Sequence, residues 1–121
     1  MKLQVIFALA AAAFAGPSFA APDLSSCKIS VYQVKAEHST LGAEVLAPDH
    51  VISIARFQTG FPGVIAWQVK LTSTGAASNS RFTSKNIGKK IAILCNGKEV
   101  ARPTIVAPSG ATFVFTTGAW P

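Results

Sequence analysis

Few side chains in this sequence could do chemistry. The acids are Asp23, Glu37, Glu44, Asp49 and Glu99, the histidines His38 and His50, and the cysteines Cys27 and Cys95. Asp49 and His50 are neighbours, but adjacency in the chain does not orient an imidazole. A Cys95–histidine nucleophile would need a free thiol, which is uncommon for a cysteine of an exported protein. No Gly-x-Ser-x-Gly elbow is present. The cysteines and histidines lack the Cys-x-x-Cys or His-x-x-x-His spacing of a zinc set. Gly88-Lys89-Lys90 follows an expected helix end, where the dipole disfavours anions, and no glycine-rich loop leads into a helix start. The residues therefore point to a non-catalytic protein with no metal and no cofactor.

The compartment follows from the first residues. Lys2 precedes an apolar run from Leu3 to Ala15, then Gly16-Pro17 and the small-x-small stretch Ser18-Phe19-Ala20. This layout predicts a signal peptide over residues 1–21, cleaved after Ala20 or Ala21. The apolar run is too short to span a bilayer as a mature helix, and no other segment is long enough. A periplasmic or secreted bacterial domain of about a hundred residues is expected, with one modest core. Loss of Lys2 reduces the net charge of +6 only slightly. A basic domain outside the cytoplasm has no nucleic acid to bind, but an anionic surface is a possible partner; a scattered excess of this size also serves solubility alone.

Two cysteines in an oxidising compartment are expected to pair, so Cys27–Cys95 is read as a disulfide. Leu24–Cys27 also matches the pattern that precedes a lipidated cysteine, which leaves lipidation of Cys27 as the alternative.

The elements that must position these residues come from pattern. Strands are expected within Cys27–His38, at His50–Gln58 and at Val64–Leu71, where Ile65, Trp67, Val69 and Leu71 share a face. Residues 39–49, with Gly42 and Pro48, read mostly as loop, with a weak helical turn near Ala43–Leu46. Thr72 or Ser73 caps a helix over about 73–87, with Ala76, Asn79 or Ser80, Thr83 and Ile87 on one face and Gly88 ending it. Ile91–Leu94 reads as a central strand buried on both faces, and Asn96-Gly97 as a hairpin turn. Pro103 and Pro108 mark an edge strand or irregular connection. Thr112–Thr117 forms the last strand, with Trp120 beyond it as a plug or an exposed contact. The fold class is α+β, a largely antiparallel sheet of five or six strands with one helix on a face, in the order β-β-β-α-β-β-β.

Residues 51–118, joined in one domain to the strand and loop at 22–50, resemble a known family. "PGVIAWQVKLTSTGAASNSRFT" and "FTSKNIGKKIAILCNGKEVARPTI" are similar to the head subdomain of the first periplasmic domain of SecD, a protein-export subunit. The residues carrying the resemblance are Gly75, Phe82, Thr83, Asn86, Gly88, Gly97, Pro103 and Gly118. The hairpin departs from the family, with Asn96-Gly97 for Asp-Gly and Cys95 for an apolar residue, and Ile105–Phe115 is less similar. SecD continues into transmembrane helices and this sequence ends at Pro121, so the resemblance implies only a role in contacting polypeptide or an export component. The last strand, through Thr112, Val114 and Thr116, is the candidate edge for an extended chain, if that edge is not covered.

Overall fold

The computed structural model describes residues 23–35 and 40–118, and the backbone of Phe7–Ala8. The expected cleavage site, Glu37, His38 and Trp120 lie outside the described residues. The strands are β1 (Phe7–Ala8), β2 (Ile29–Val34), β3 (Leu41–Leu46), β4 (Val51–Gln58), β5 (Val64–Leu71), β6 (Ile91–Cys95), β7 (Lys98–Ala101), β8 (Thr104–Ile105) and β9 (Thr112–Gly118). The helix α1 spans Ser73–Lys85, and a 3-10 turn spans Pro48–His50.

The α+β class is as expected, but the strands divide into two antiparallel sheets rather than one. One has the order β3-β2-β6-β7 and the other β4-β5-β9; β1 pairs with β8. Their inner faces meet in one core. Trp67, Phe113, Phe115, Ile29, Ile91, Ile93 and Ile105 are fully buried within it. The alternation of β5 places Trp67, Val69 and Leu71 inward, with Ile65 packed against the same cluster. All four residues of Ile91–Leu94 are buried, as expected of a strand covered on both faces, and β6 pairs with β2 and β7 along its edges.

Residues 41–46 are a strand, not the expected loop or helical turn. The outer side of β2 has unpaired backbone groups, and β3 satisfies them with Val31 opposite Leu46, Tyr32 opposite Glu44 and Val34 opposite Leu41. Two register shifts in this ladder absorb a sequence that does not alternate. In β4 a shift between Val51 and Ser53 leaves Ile52 60 % exposed, so the strand's apolar residues do not form a single inward face.

Helix α1 starts where expected, with Thr72 Oγ1 accepting from Gly75 N–H at 3.1 Å. Its buried residues are Gly75, Asn79 and Thr83, spaced four apart. This seam is polar and docks by hydrogen bonds. Asn79 Nδ2 donates to Ser109 Oγ at 2.8 Å and to Gly110 O at 3.0 Å, and Ser109 N–H donates to Thr83 Oγ1 at 3.0 Å. Ile87 lies past the helix end and is exposed, not on the buried face.

Candidate functional site

Several of the described residues with chemical potential are engaged structurally. His50 Nδ1 accepts from Ala47 N–H at 3.0 Å, and the His50 carbonyl accepts from Thr72 N–H at 2.9 Å, which ties the 3-10 turn to the helix start. Glu99 takes two bonds from Arg102, at 2.6 and 2.7 Å, and the side-chain hydrogen bond to Glu99 raises the guanidinium's pKa above its usual value. Asp23 accepts from Ser25 Oγ and N–H, which holds its carboxyl below the usual range. The charge of Glu44 pushes the Tyr32 phenol up. Among the described residues no three His, Cys, Asp or Glu side chains group as a metal site.

Cys27 and Cys95 form a disulfide, with Cα atoms 5.1 Å apart. The bridge joins the chain just before β2 to the end of β6. Around it Asn96 N–H donates to Lys28 O at 3.0 Å, and Lys28 N–H donates to Asn96 Oδ1 at 3.1 Å. Both sulfurs are in the bridge, which leaves no free thiol at Cys27 or Cys95.

The motif residues are dispersed along joints of the fold and do not converge. Gly75 is buried against His50. Thr83 is fully buried, and Phe82 packs at the edge of the core. Asn86 Nδ2 donates to Phe82 O at 2.7 Å and closes the helix, after which Gly88 N–H donates to Ile105 O at 2.7 Å. Asn96 and Gly97 both have positive φ, 52° and 85°, as the two-residue hairpin turn requires. Pro103 is buried, with its carbonyl accepting from Ile91 N–H at 3.0 Å. Gly118, at φ 103°, passes so close to Gly63 O that a side chain there would collide with it.

The strand expected from the sequence as a candidate edge is β9. Strand β9 ends the three-stranded sheet, paired with β5 from Lys70 opposite Thr112 to Val64 opposite Gly118. Thr112, Val114 and Thr116 alternate with the inward Phe113 and Phe115, so they share the outer face. Thr112 and Val114 are half-buried, while Thr116 is only 4 % exposed. At the opposite end of that sheet β4 carries the exposed Ile52 and Phe57, with Phe61 exposed in the turn that follows. Sequence reading passed over this second edge, although β4's apolar residues on both faces were a signal that one face lacks cover. A groove of about 270 Å³ between α1 and the β2–β3 hairpin mixes Glu44 with Arg81 and Lys85, so it presents no field of a single sign.

No family model matches the chain. It is 33 % identical over 76 residues to the protein translocase subunit SecD of Leptotrichia buccalis, a match that covers 61 % of this chain and 18 % of the relative. The fold is similar to a crystal structure of SecDF in a super-membrane-facing form and to a structure of SecDF described as a membrane component that enhances protein export. Both superpose with a TM-score of 0.62 at 17 % identity over 75 % of this chain, covering 16 % and 55 % of the respective structures. The chain therefore carries a SecD/SecDF-like domain and spans a minor part of the curated relative it matches.

Proposed function

From a SecD/SecDF-like domain as premise, we propose that this protein is a non-catalytic binding module outside the cytoplasm that contacts extended polypeptide or a component of the export machinery. The observation that carries this reading is the coincidence of the 33 % identity to SecD with the SecDF-like fold. The engagement of His50 and both cysteines in structure favours binding over chemistry. A strand edge suits the role because backbone pairing is tolerant of the partner's sequence. A leader-like N-terminus and a disulfide favour the periplasm or the exterior.

A second reading has one specific support. Lys85, Lys89 and Lys90 are exposed together at the end of α1 in a chain of net charge +6, which would suit an anionic surface or one acidic protein partner. In-cell photo-crosslinking separates the two readings. The probe is placed at Thr112 or Val114, since Thr116 is too buried to report on a partner. Adducts with a range of exported polypeptides, or with export machinery, support the first reading. Adducts with one unrelated protein, or binding to anionic vesicles that salt abolishes, would replace it with the second.

A further inference from the structure

Strand β8 is two residues long, and one of its sides is held by the segment leading into β6. Ile91 N–H donates to Pro103 O at 3.0 Å, and Ile105 N–H donates to Lys89 O at 2.9 Å. These two bonds bracket Lys90 and Thr104, which face each other as a wide, non-hydrogen-bonded pair. In such a pair the residue's own N–H and C=O point away from its partner. The backbone groups of Thr104 therefore point out of the sheet, to the side opposite Lys90.

That side is where β1 lies. Ala8 stands opposite Thr104 and Phe7 opposite Ile105, antiparallel, and β1 also runs beside β9. Because Thr104 turns its groups outward, Ala8–Thr104 is the narrow pair of this ladder, in which both residues exchange hydrogen bonds. Two residues of the apolar N-terminal run thus pair along β8, close to β9. Pro103 lacks an N–H and ends the ladder on one side. Beyond Ile105 the edge continues into the exposed Val106. The apolar residues at this side of β8 are Ile105, buried, and Val106, exposed.

We propose that the outward side of β8 accepts one extended, apolar, leader-type polypeptide segment by strand pairing, with this chain's own N-terminal run as its occupant in cis. A segment of another exported polypeptide then pairs there in trans only when that run has been removed. The proposal rests on the reading of the domain as a polypeptide-contacting module and assigns the contact to Thr104 and its neighbours. The domain can be tested without the run, because every buried hydrophobic residue described lies between Leu24 and Phe115, and the disulfide lies within the same span.

The experiment is an amide NMR titration of the isotope-labelled chain beginning at Pro22. The ligand is a peptide of residues 3–15 with solubilising lysines at its C-terminus. The expected result is saturable shifts at Thr104, Ile105 and Val106. Methylation of the peptide nitrogen at Ala8 should weaken binding at least tenfold, because it removes the donor to Thr104. The full chain, with its run in place, should bind the same peptide at least tenfold more weakly than the shortened chain. Saturable binding confined to β4 or the outer face of β9 would overturn the site while leaving the polypeptide reading standing. No binding of this or any unfolded secretory peptide would remove both. A methylated peptide that binds as well as the unmodified one would overturn strand pairing, and equal affinity for the full and shortened chains would overturn occupancy in cis.

Discussion

Gly75 packs so tightly on His50 that a Cβ at position 75 would stand 2.9 Å from both the Cβ and the carbonyl oxygen of His50. Two effects oppose each other in Gly75→Ala. Alanine is the better helix former by about 1 kcal/mol. Overpacking against a fixed backbone costs about 1–3 kcal/mol, and here the obstructing carbonyl also accepts from Thr72 N–H, so it cannot withdraw freely. The clash wins, and Gly75→Ala is expected to lower stability by about 1–2 kcal/mol. Urea unfolding checks this, as a reduced midpoint with an unchanged slope. A midpoint at or above that of the parent would mean that the 3-10 turn moves aside at no cost.

The Cys27–Cys95 bridge links residues 68 apart in sequence. On the chain-entropy account a loop of that length is worth about 4 kcal/mol, and removing a native bridge from a small exported domain typically costs about 2–5 kcal/mol. Cys95→Ala is expected to fall in that range. Cys27→Ala should match it, and the double variant should be no worse than either, because each substitution removes the same bond. Chemical denaturation of the three variants, beside the reduced parent, tests this. Full stability after reduction would show that the core holds without the tether.

Parts of this fold were legible because their cause is local. The alternation of Ile65, Trp67, Val69 and Leu71, the four-residue apolar run of β6, the cap at Thr72 and the Asn96-Gly97 turn all follow from a few adjacent residues. β3 was not legible because its sequence, Leu-Gly-Ala-Glu-Val-Leu, has no period of two, and it is held extended by β2 through an irregular ladder. The division into two sheets depends on which distant strands adjoin, which no local pattern encodes. For the candidate edge, alternation places Thr112, Val114 and Thr116 on one face, but the burial of Thr116 reflects tertiary surroundings. The role of Thr104 depends on the direction of a backbone amide, and a sequence carries no trace of that.

Inside the core, Trp67 Nε1 donates to Thr117 Oγ1 at 2.9 Å, with Trp67 fully buried and Thr117 4 % exposed. Thr117→Val keeps the shape and removes the acceptor, leaving an indole N–H without a partner where water cannot reach it. The expected loss is about 1–3 kcal/mol. Thr117→Ser keeps the hydroxyl and should recover the larger part of that loss, at the expense of one methyl. Comparing the two by urea unfolding separates the hydrogen bond from the packing. A Thr117→Val variant as stable as the parent, with the loss falling on Thr117→Ser, would assign the effect to the methyl group instead.

The Tyr32 hydroxyl titrates above the usual phenol value of 10.0, chiefly because the Glu44 carboxylate beside it opposes a second negative charge. Burial and a hydrogen bond with Glu44 act in the same direction. The two residues face each other across the β2–β3 ladder, so the shift reports on a strand pairing that forms only on folding. A raised pKa in the folded state means that folding favours the neutral phenol. The resulting contribution to stability is fully present below the unfolded value and is lost as pH rises through the raised one. Tyr32 is the sole tyrosine of the chain, so phenolate absorbance of the native protein follows this group alone. Glu44→Gln removes the charge and keeps the size. It is expected to bring the titration midpoint down toward 10.0, with added salt moving the parent the same way as it screens the pair. An unchanged midpoint in Glu44→Gln would assign the shift to burial of the phenol, and a midpoint at the usual value in the parent would place the two residues out of register.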